Sequence, residues 1–228
     1  MCYNDNGDVF MVTKSINERI IEEILPQIRN INESKLKYKE SNLTYGSKLL
    51  GNVIAATIKK YIENIINYYG LEYSVSLNNS FIGYCPIEWD LIIYKKGLLP
   101  ENNIIPESDI VAVIEFKTSG TVDVKYKERT KQEFLSLTFD KAFQFIKELE
   151  LRTNRKINFG YITFSTDIDW FIATKEYFDK QNGIDGTSFA FLNDKELEKG
   201  HVVAVEGCDD FEKYIFNLLK EGSNEKNE

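Results

Sequence analysis

The chain has 228 residues, of which 43% are hydrophobic and 28% are charged, and its formal net charge is −8. A chain of this length and composition can bury a substantial core, which excludes disordered, collagen-like and coiled-coil proteins. The acidic balance disfavours a general nucleic-acid coat protein, although enzymes that act on nucleic acids stay open because metal-holding carboxylates add to the acidic count. No apolar run approaches the roughly 20 residues of a membrane span, so no membrane partner is expected.

The cysteine pattern indicates a reducing, cytoplasmic setting. Cys2, Cys85 and Cys208 are odd in number and far apart, and they form neither a CxxC pair nor a zinc spacing with the single histidine. The composition predicts one domain over residues 1–220, followed by a polar tail over residues 221–228.

The first strong signals along the chain are helical. Amphipathic spacing predicts a helical segment over residues 15–31, interrupted at Pro26, and a long helix over residues 46–69 that ends at Gly70. The only acid in the long helix is Glu63. A lone charge on a helix is usually solvated, so Glu63 is expected at the surface and is kept only as an accessory site candidate.

Runs of β-branched and aromatic residues bounded by turn residues predict three strands in the middle of the chain, at residues 72–77, 87–94 and 110–117. Side chains alternate along a strand, so Glu115 and Lys117 lie on one face. If the second and third strands are neighbours, Asp90 joins them there. The pattern therefore predicts two carboxylates and one ammonium at the edge of a core.

Two polar segments are candidates for substrate contacts. The segment after the third strand concentrates positive charge in an acidic protein, at Lys125, Lys127, Arg129 and Lys131. It is either a phosphate-contacting loop or a solvated charged loop. The loop over residues 95–108 either contacts substrate or is a simple insertion.

The pattern then returns to a helix over residues 134–151 and a strand over residues 158–165. Gln144 in this helix is a candidate polar support for a site, although a surface glutamine is the plainer interpretation. A last amphipathic helix is predicted over residues 209–219. The order of elements predicts an α/β fold with a mixed central β-sheet flanked by helices.

The combination of Asp90 with Glu115-Phe116-Lys117, both parts on apolar strands, resembles the PD-(D/E)XK nuclease superfamily. The resemblance covers residues 45–165, and Pro86 stands four residues before Asp90. It implies a restriction-endonuclease-like core, in the order αβββαβ, with a C-terminal extension.

The resemblance also implies a chemistry. Mg²⁺, or Mn²⁺, would be held by Asp90, Glu115 and the carbonyl of Phe116, because hard cations prefer oxygen ligands. Lys117 would orient or deprotonate the attacking water, or stabilise charge on the phosphate. Glu88, two residues before Asp90 on the same predicted strand, is an accessory acid candidate.

The implied function is a metal-dependent nuclease that hydrolyses phosphodiester bonds of DNA in a bacterial restriction or defence setting, with a homodimer allowed. Two alternatives stay open. The three charged residues can form a salt bridge at the strand ends, and the chain can be a non-catalytic nucleic-acid- or protein-binding module that keeps the nuclease fold.

Overall fold

The computed structural model describes residues 2–3, 9–10, 16, 19–20, 22–24, 26–27, 30, 43–76, 80–83, 85, 87–97, 104–117, 131–165, 176–177, 186–192 and 211–221. Three α-helices separate groups of strands along this part of the chain. The strands are β1 (Cys2–Tyr3), β2 (Val9–Phe10), β3 (Tyr73–Val75), β4 (Ser80–Ile82), β5 (Glu88–Trp89), β6 (Leu91–Lys95), β7 (Ile104–Ile105), β8 (Ile110–Lys117), β9 (Asn158–Ser165) and β10 (Gly186–Leu192). The α-helices are α1 (Leu43–Tyr68), α2 (Lys131–Thr153) and α3 (Phe211–Glu221), and a 3₁₀ turn spans Glu107–Asp109.

The described residues between 16 and 30 are helical and pack against α1. Ile20 and Ile24 are fully buried there because their spacing puts both on one helical face. The carboxylate of Glu23 accepts a hydrogen bond of 3.2 Å from the Tyr61 hydroxyl. This N-terminal segment is therefore held by apolar packing and by a polar contact at its edge.

Helix α1 ends where the sequence predicts. Gly70 has φ of 62°, a left-handed conformation that glycine adopts without steric cost. The Gly70 N–H donates to the Asn67 carbonyl at 3.2 Å, and the Leu71 N–H donates to the Ile66 carbonyl at 2.9 Å. This pair of bonds is a Schellman motif, which satisfies carbonyls that the helix end would otherwise leave unpaired.

The main sheet has five strands in the order β10-β9-β8-β6-β3. Strand β6 runs antiparallel to both of its neighbours, β3 and β8, whereas β8, β9 and β10 are parallel to one another. The prediction of a mixed α/β fold is thereby confirmed. The strands predicted at residues 87–94 and 110–117 are neighbours as expected, through β6 and β8.

The prediction of one continuous strand over residues 87–94 was wrong, because the chain breaks at Asp90. Strand β5 pairs with β4 in a separate sheet of order β5-β4-β7, and β6 begins the main sheet one residue later. Aspartate is disfavoured in strands, and its short carboxylate competes for backbone donors. Asp90 follows this rule, because its side chain bonds a backbone N–H of β8.

Two apolar cores lie on opposite faces of the main sheet. We name the first the α1–α3 face, since α1 and α3 pack on it, and its members include Leu91, Ile114, Ile162 and Phe211. We name the second the α2 face, since α2 and the small sheet pack on it, and its members include Ile92, Val113, Phe159 and Phe139. Residues paired across strands fall on the same face, as sheet geometry requires.

The C-terminal elements complete the main sheet and the α1–α3 face. Strand β10, which the sequence analysis did not predict, pairs with β9 at one edge. Helix α3 matches the predicted helix over residues 209–219 and buries Tyr214 and Leu218. The buried amide of Asn158 donates to the Leu218 carbonyl near the end of this helix. Within the described residues, no helix is both long and apolar enough to cross a membrane.

Candidate functional site

The strand register brings Asp90 and Glu115 together. Leu91 lies opposite Ile114 at the end of the antiparallel ladder of β6 and β8, and Asp90 and Glu115 are the next residues beyond that last pair. Ile92 and Val113, which alternate with Leu91 and Ile114, belong to the α2 face. Asp90 and Glu115 therefore lie at the end of the α2 face, and both are half-buried.

A short hydrogen bond fixes Asp90 against the next strand. The backbone N–H of Phe116 donates to Oδ2 of Asp90 at 2.7 Å. Within a strand, the N–H and C=O of one residue project from the same edge, so the Phe116 carbonyl also lies on the Asp90 side of β8. The Phe116 ring packs in the α1–α3 core, on the opposite face from Glu115. The backbone of Phe116 thus places one donor and one acceptor beside Asp90.

Lys117 is the last residue of β8 and pairs in register with Thr163 of β9. It follows Glu115 by two residues in the same strand. Its side chain lies outside the described part of the structure.

Tyr161 adjoins Glu115 on the other side from Asp90. The parallel pairing of β8 and β9 sets Glu115 opposite Tyr161. The Tyr161 ring is buried on the α2 face and meets the Phe139 ring of α2 edge to face, with centroids 5.1 Å apart. The sequence analysis did not select Tyr161. Once β8 and β9 are known to be neighbours, their register places Tyr161 beside Glu115.

A cluster of aromatic rings covers the α2 face next to Tyr161. Phe139 and Phe143 of α2 both contact the buried ring of Tyr177. The Tyr177 hydroxyl donates to the carboxylate of Asp140, which also accepts from the Ser136 hydroxyl. Burial, followed by the bond to Asp140, raises the pKa of Tyr177 to about 12. The phenol is therefore neutral at physiological pH.

The structure does not bring Glu63 to the Asp90 end of β6. Its carboxylate pairs with Lys59 one helical turn earlier, and its side chain is 43% exposed. Burial raises the pKa of Tyr94, and the charge of Glu63 raises it further. Tyr94 is four residues along the chain from Asp90, a distance of roughly 13 Å along a strand.

The other two accessory candidates, Glu88 and Gln144, are both exposed. Glu88 is exposed in β5, which belongs to the small sheet, so strand alternation no longer links it to Asp90. Gln144 is exposed on α2 and donates to Glu148 at 3.3 Å. Its neighbours Phe143 and Ile146 face the core, so Gln144 occupies the outer side of the helix.

The positive cluster is only partly covered by the structure. Lys125, Lys127 and Arg129 lie outside the described residues. Lys131 begins α2, and its side chain is likewise outside them. Of the loop over residues 95–108, the described C-terminal part holds β7 and Glu107, whose carboxylate bonds Arg152 of α2 at 2.9 Å. That half of the loop is anchored to the core.

Among the described residues, no group of three or more His, Cys, Asp or Glu side chains is arranged to hold a metal ion. The candidate site has two such side chains, Asp90 and Glu115, and its third oxygen donor is a backbone carbonyl. Two carboxylates and a carbonyl are all oxygen donors, and Mg²⁺ commonly completes such a set with water. The donor chemistry of the site therefore suits a hard divalent cation.

Comparison with protein-family models and with curated proteins finds no match to this chain.

Proposed function

We propose that this protein is a metal-dependent nuclease that hydrolyses phosphodiester bonds of DNA, with Mg²⁺ or Mn²⁺ between Asp90 and Glu115. The observation that carries the proposal is the hydrogen bond that ties Asp90 to the Phe116 backbone, directly after Glu115, where the ladder of β6 and β8 ends. Carboxylates held near one another repel, and a divalent cation bound by both would remove that cost.

The arrangement of elements supports a restriction-endonuclease-like core. Helix α1 precedes three antiparallel strands, β3, β6 and β8, and α2 then crosses back to the parallel strand β9. This is the order αβββαβ that the resemblance implies. Helices α1 and α2 contribute to the cores on opposite faces of the sheet. A setting in bacterial restriction or defence remains part of the proposal on the resemblance alone.

Each residue has a chemical task in this proposal. A bound divalent cation neutralises phosphate charge and acidifies water. Asp90, Glu115 and the Phe116 carbonyl would hold it, and the Phe116 N–H donates to one of the two oxygens of Asp90, Oδ2. Lys117 would place its ammonium where negative charge develops on the phosphate, or orient the attacking water.

A second candidate is a non-catalytic nucleic-acid- or protein-binding module with the same fold. The position of Glu63 favours this second candidate. Glu63 pairs with Lys59 on α1, so α1 supplies no acid to the site. The net charge of −8 also favours a partner other than a bare polyanion.

Incubation with plasmid, linear duplex, single-stranded DNA and RNA in Mg²⁺, Mn²⁺ or EDTA separates the two. The nuclease proposal expects cleavage of DNA that requires the cation and is lost in Glu115→Gln. Binding of any of these nucleic acids without cleavage in Mg²⁺ and Mn²⁺ would instead support the module.

A further inference from the structure

We infer that Trp89 is a positioning residue for Asp90: its buried indole holds the chain at the break between β5 and β6, which keeps the Asp90 carboxylate on the Phe116 N–H. The effect on a bound cation rests on the proposed function, whereas the position of Asp90 can be measured without any cation. Trp89 would serve the site from the core of the α2 face, without touching the cation or the substrate.

The Trp89 side chain ties three parts of the fold together. It is fully buried, and it is the largest of the described side chains to be so. Its ring centroid lies 6.0 Å from that of Phe145 in α2 and 6.3 Å from that of Phe159 in β9, both within the range of favourable aromatic pairs. Its backbone pairs with Ser80 of β4 in the small sheet. The close packing of a protein core leaves such a ring little room to move.

Asp90 is held between two buried neighbours. Trp89 packs in the core of the α2 face, whereas Leu91 packs in the core of the α1–α3 face and pairs with Ile114 of β8. Consecutive Cα atoms are about 3.8 Å apart, so a shift of Trp89 passes directly to Asp90. The hydrogen bond from Phe116 to Asp90 is 2.7 Å long, and such bonds weaken steeply when their angle is lost. The position of the carboxylate therefore depends on the packing of the indole.

The indole acts at this place through its bulk. Nε1 of Trp89 is buried and has no hydrogen-bond partner among the described residues. A buried donor without an acceptor costs stability, so the polar group of the ring does not account for its place in the core. The ring instead fills the space between β5, α2 and β9, and a smaller side chain would leave a cavity that its neighbours fill only in part. Loss of the ring would therefore free the break at Asp90 to shift.

The test is the proton chemical shift of the Phe116 amide, measured by nuclear magnetic resonance without a metal. Asp90 accepts the hydrogen bond from this N–H, so Asp90→Ala gives the chemical shift that applies when the bond is absent. In Trp89→Leu we expect the Phe116 amide to move from the wild-type chemical shift toward that of Asp90→Ala. Trp89→Phe, which keeps a ring and removes the unpaired N–H, should move it less and in the same direction. This milder variant carries the test if Trp89→Leu does not fold.

The matched control is Phe143→Leu, which also removes a buried ring that contacts Phe159 but is not next to Asp90 in the chain. Both leucine variants should lose stability, and only Trp89→Leu should move the Phe116 amide, which separates positioning from a general loss of packing. Equal movement in both leucine variants, or an unmoved Phe116 amide in the folded Trp89 variants, would overturn the inference.

Titration with Mn²⁺ then connects Trp89 to the proposed function. The dissociation constant should rise about tenfold or more in Trp89→Leu, the range seen when groups that orient metal ligands are removed, and stay at the wild-type value in Phe143→Leu. Adding Trp89→Leu to Asp90→Ala should cause no further loss, because Trp89 acts through Asp90. Additive losses, or an unchanged dissociation constant in Trp89→Leu, would overturn the inference and leave the nuclease proposal standing. A wild type that binds no Mn²⁺ and cleaves no DNA would overturn the nuclease proposal, and the Phe116 amide would still decide whether Trp89 positions Asp90.

Discussion

The two faces of the main sheet differ in chemistry. The α1–α3 face is built largely from isoleucine and leucine and is covered by α1, α3 and the helical residues near the N-terminus. The α2 face is rich in aromatic rings and ends in a row of polar residues, Asp90, Glu115 and Tyr161. One face therefore serves stability, and the other combines stability with a candidate site. Substitutions on the two faces should accordingly separate folding from activity.

The largest effect is expected at Lys117, the last residue of β8. Lys117→Ala should abolish metal-dependent cleavage while leaving the protein folded, because a strand-end lysine contributes little packing and its ammonium would be missing from the transition state. Cleavage rates and circular dichroism of the variant check this. Lys95→Ala, an exposed lysine at the far end of β6, is the control and should cleave normally. Normal cleavage by a folded Lys117→Ala protein would remove Lys117 from the mechanism.

The positive cluster should give the next largest effect. Replacement of Lys125, Lys127, Arg129 and Lys131 by Gln should weaken binding of all DNA sequences about equally. It should flatten the dependence of log affinity on log salt by roughly 0.9 for each duplex phosphate that the protein no longer neutralises. Titrations in Ca²⁺, which suppresses cleavage, measure both the affinity and its salt dependence.

The control for this titration is Lys141→Gln with Lys147→Gln, two exposed lysines of α2, which should keep the wild-type slope. An unchanged slope in the variant with all four replacements would indicate that the cluster is a solvated loop that does not contact DNA phosphates.

On the α1–α3 face the expected effect is on stability. A Cβ on Gly160 would lie 3.0 Å from side-chain atoms of both Leu218 and Tyr214. Gly160→Ala should therefore destabilise by about 1–3 kcal/mol, as overpacked cores do. Urea unfolding measures this, with Asn64→Ala on the exposed side of α1 as the control. Below its melting temperature the variant should still cleave, and a folded variant without cleavage would show that the two faces are coupled.

The smallest effect concerns Tyr177 and high pH. Its pKa is raised to about 12 from an ordinary value of 10.0, so the unfolded chain ionises this phenol before the folded protein does. Its contribution to stability is therefore complete below pH 10 and lost as pH rises toward 12. Unfolding free energies at pH 8, 10 and 11 should fall less steeply in Tyr177→Phe than in the wild type. Equal slopes would contradict the buried Tyr177–Asp140 bond.

The local sequence pattern predicted where strands and helices lie better than it predicted which strands pair. The strands at residues 110–117 and 158–165 and the end of α1 at Gly70 were predictable because periodicity and turn residues are local signals. The break at Asp90 was not predictable from local sequence, because it depends on β5 pairing with β4 instead of continuing into β6. Strand β10 was missed although Thr187, Phe189 and Phe191 are strand formers at alternate positions, and its pairing with β9 identifies it.

The candidate site was predictable in the same unequal way. Asp90 and Glu115 were expected to meet if their strands were neighbours, and the register fulfils that condition. The sequence analysis placed Glu88 and Asp90 on one face of a single predicted strand. The structure divides that strand into β5 and β6. Tyr161 lies 46 positions beyond Glu115 in the chain, and only the pairing of β8 with β9 makes them neighbours.

The most direct test of the central claim is Mn²⁺ titration of the wild type, Asp90→Asn and Glu115→Gln. The control is Asp109→Asn, which removes a carboxylate just before the opposite end of β8. If Asp90 and Glu115 share a cation, the wild type and Asp109→Asn bind Mn²⁺ alike, and each of the other two variants binds at least about tenfold more weakly because a charged ligand is removed. Identical titration curves for all four proteins would contradict a shared cation at this pair.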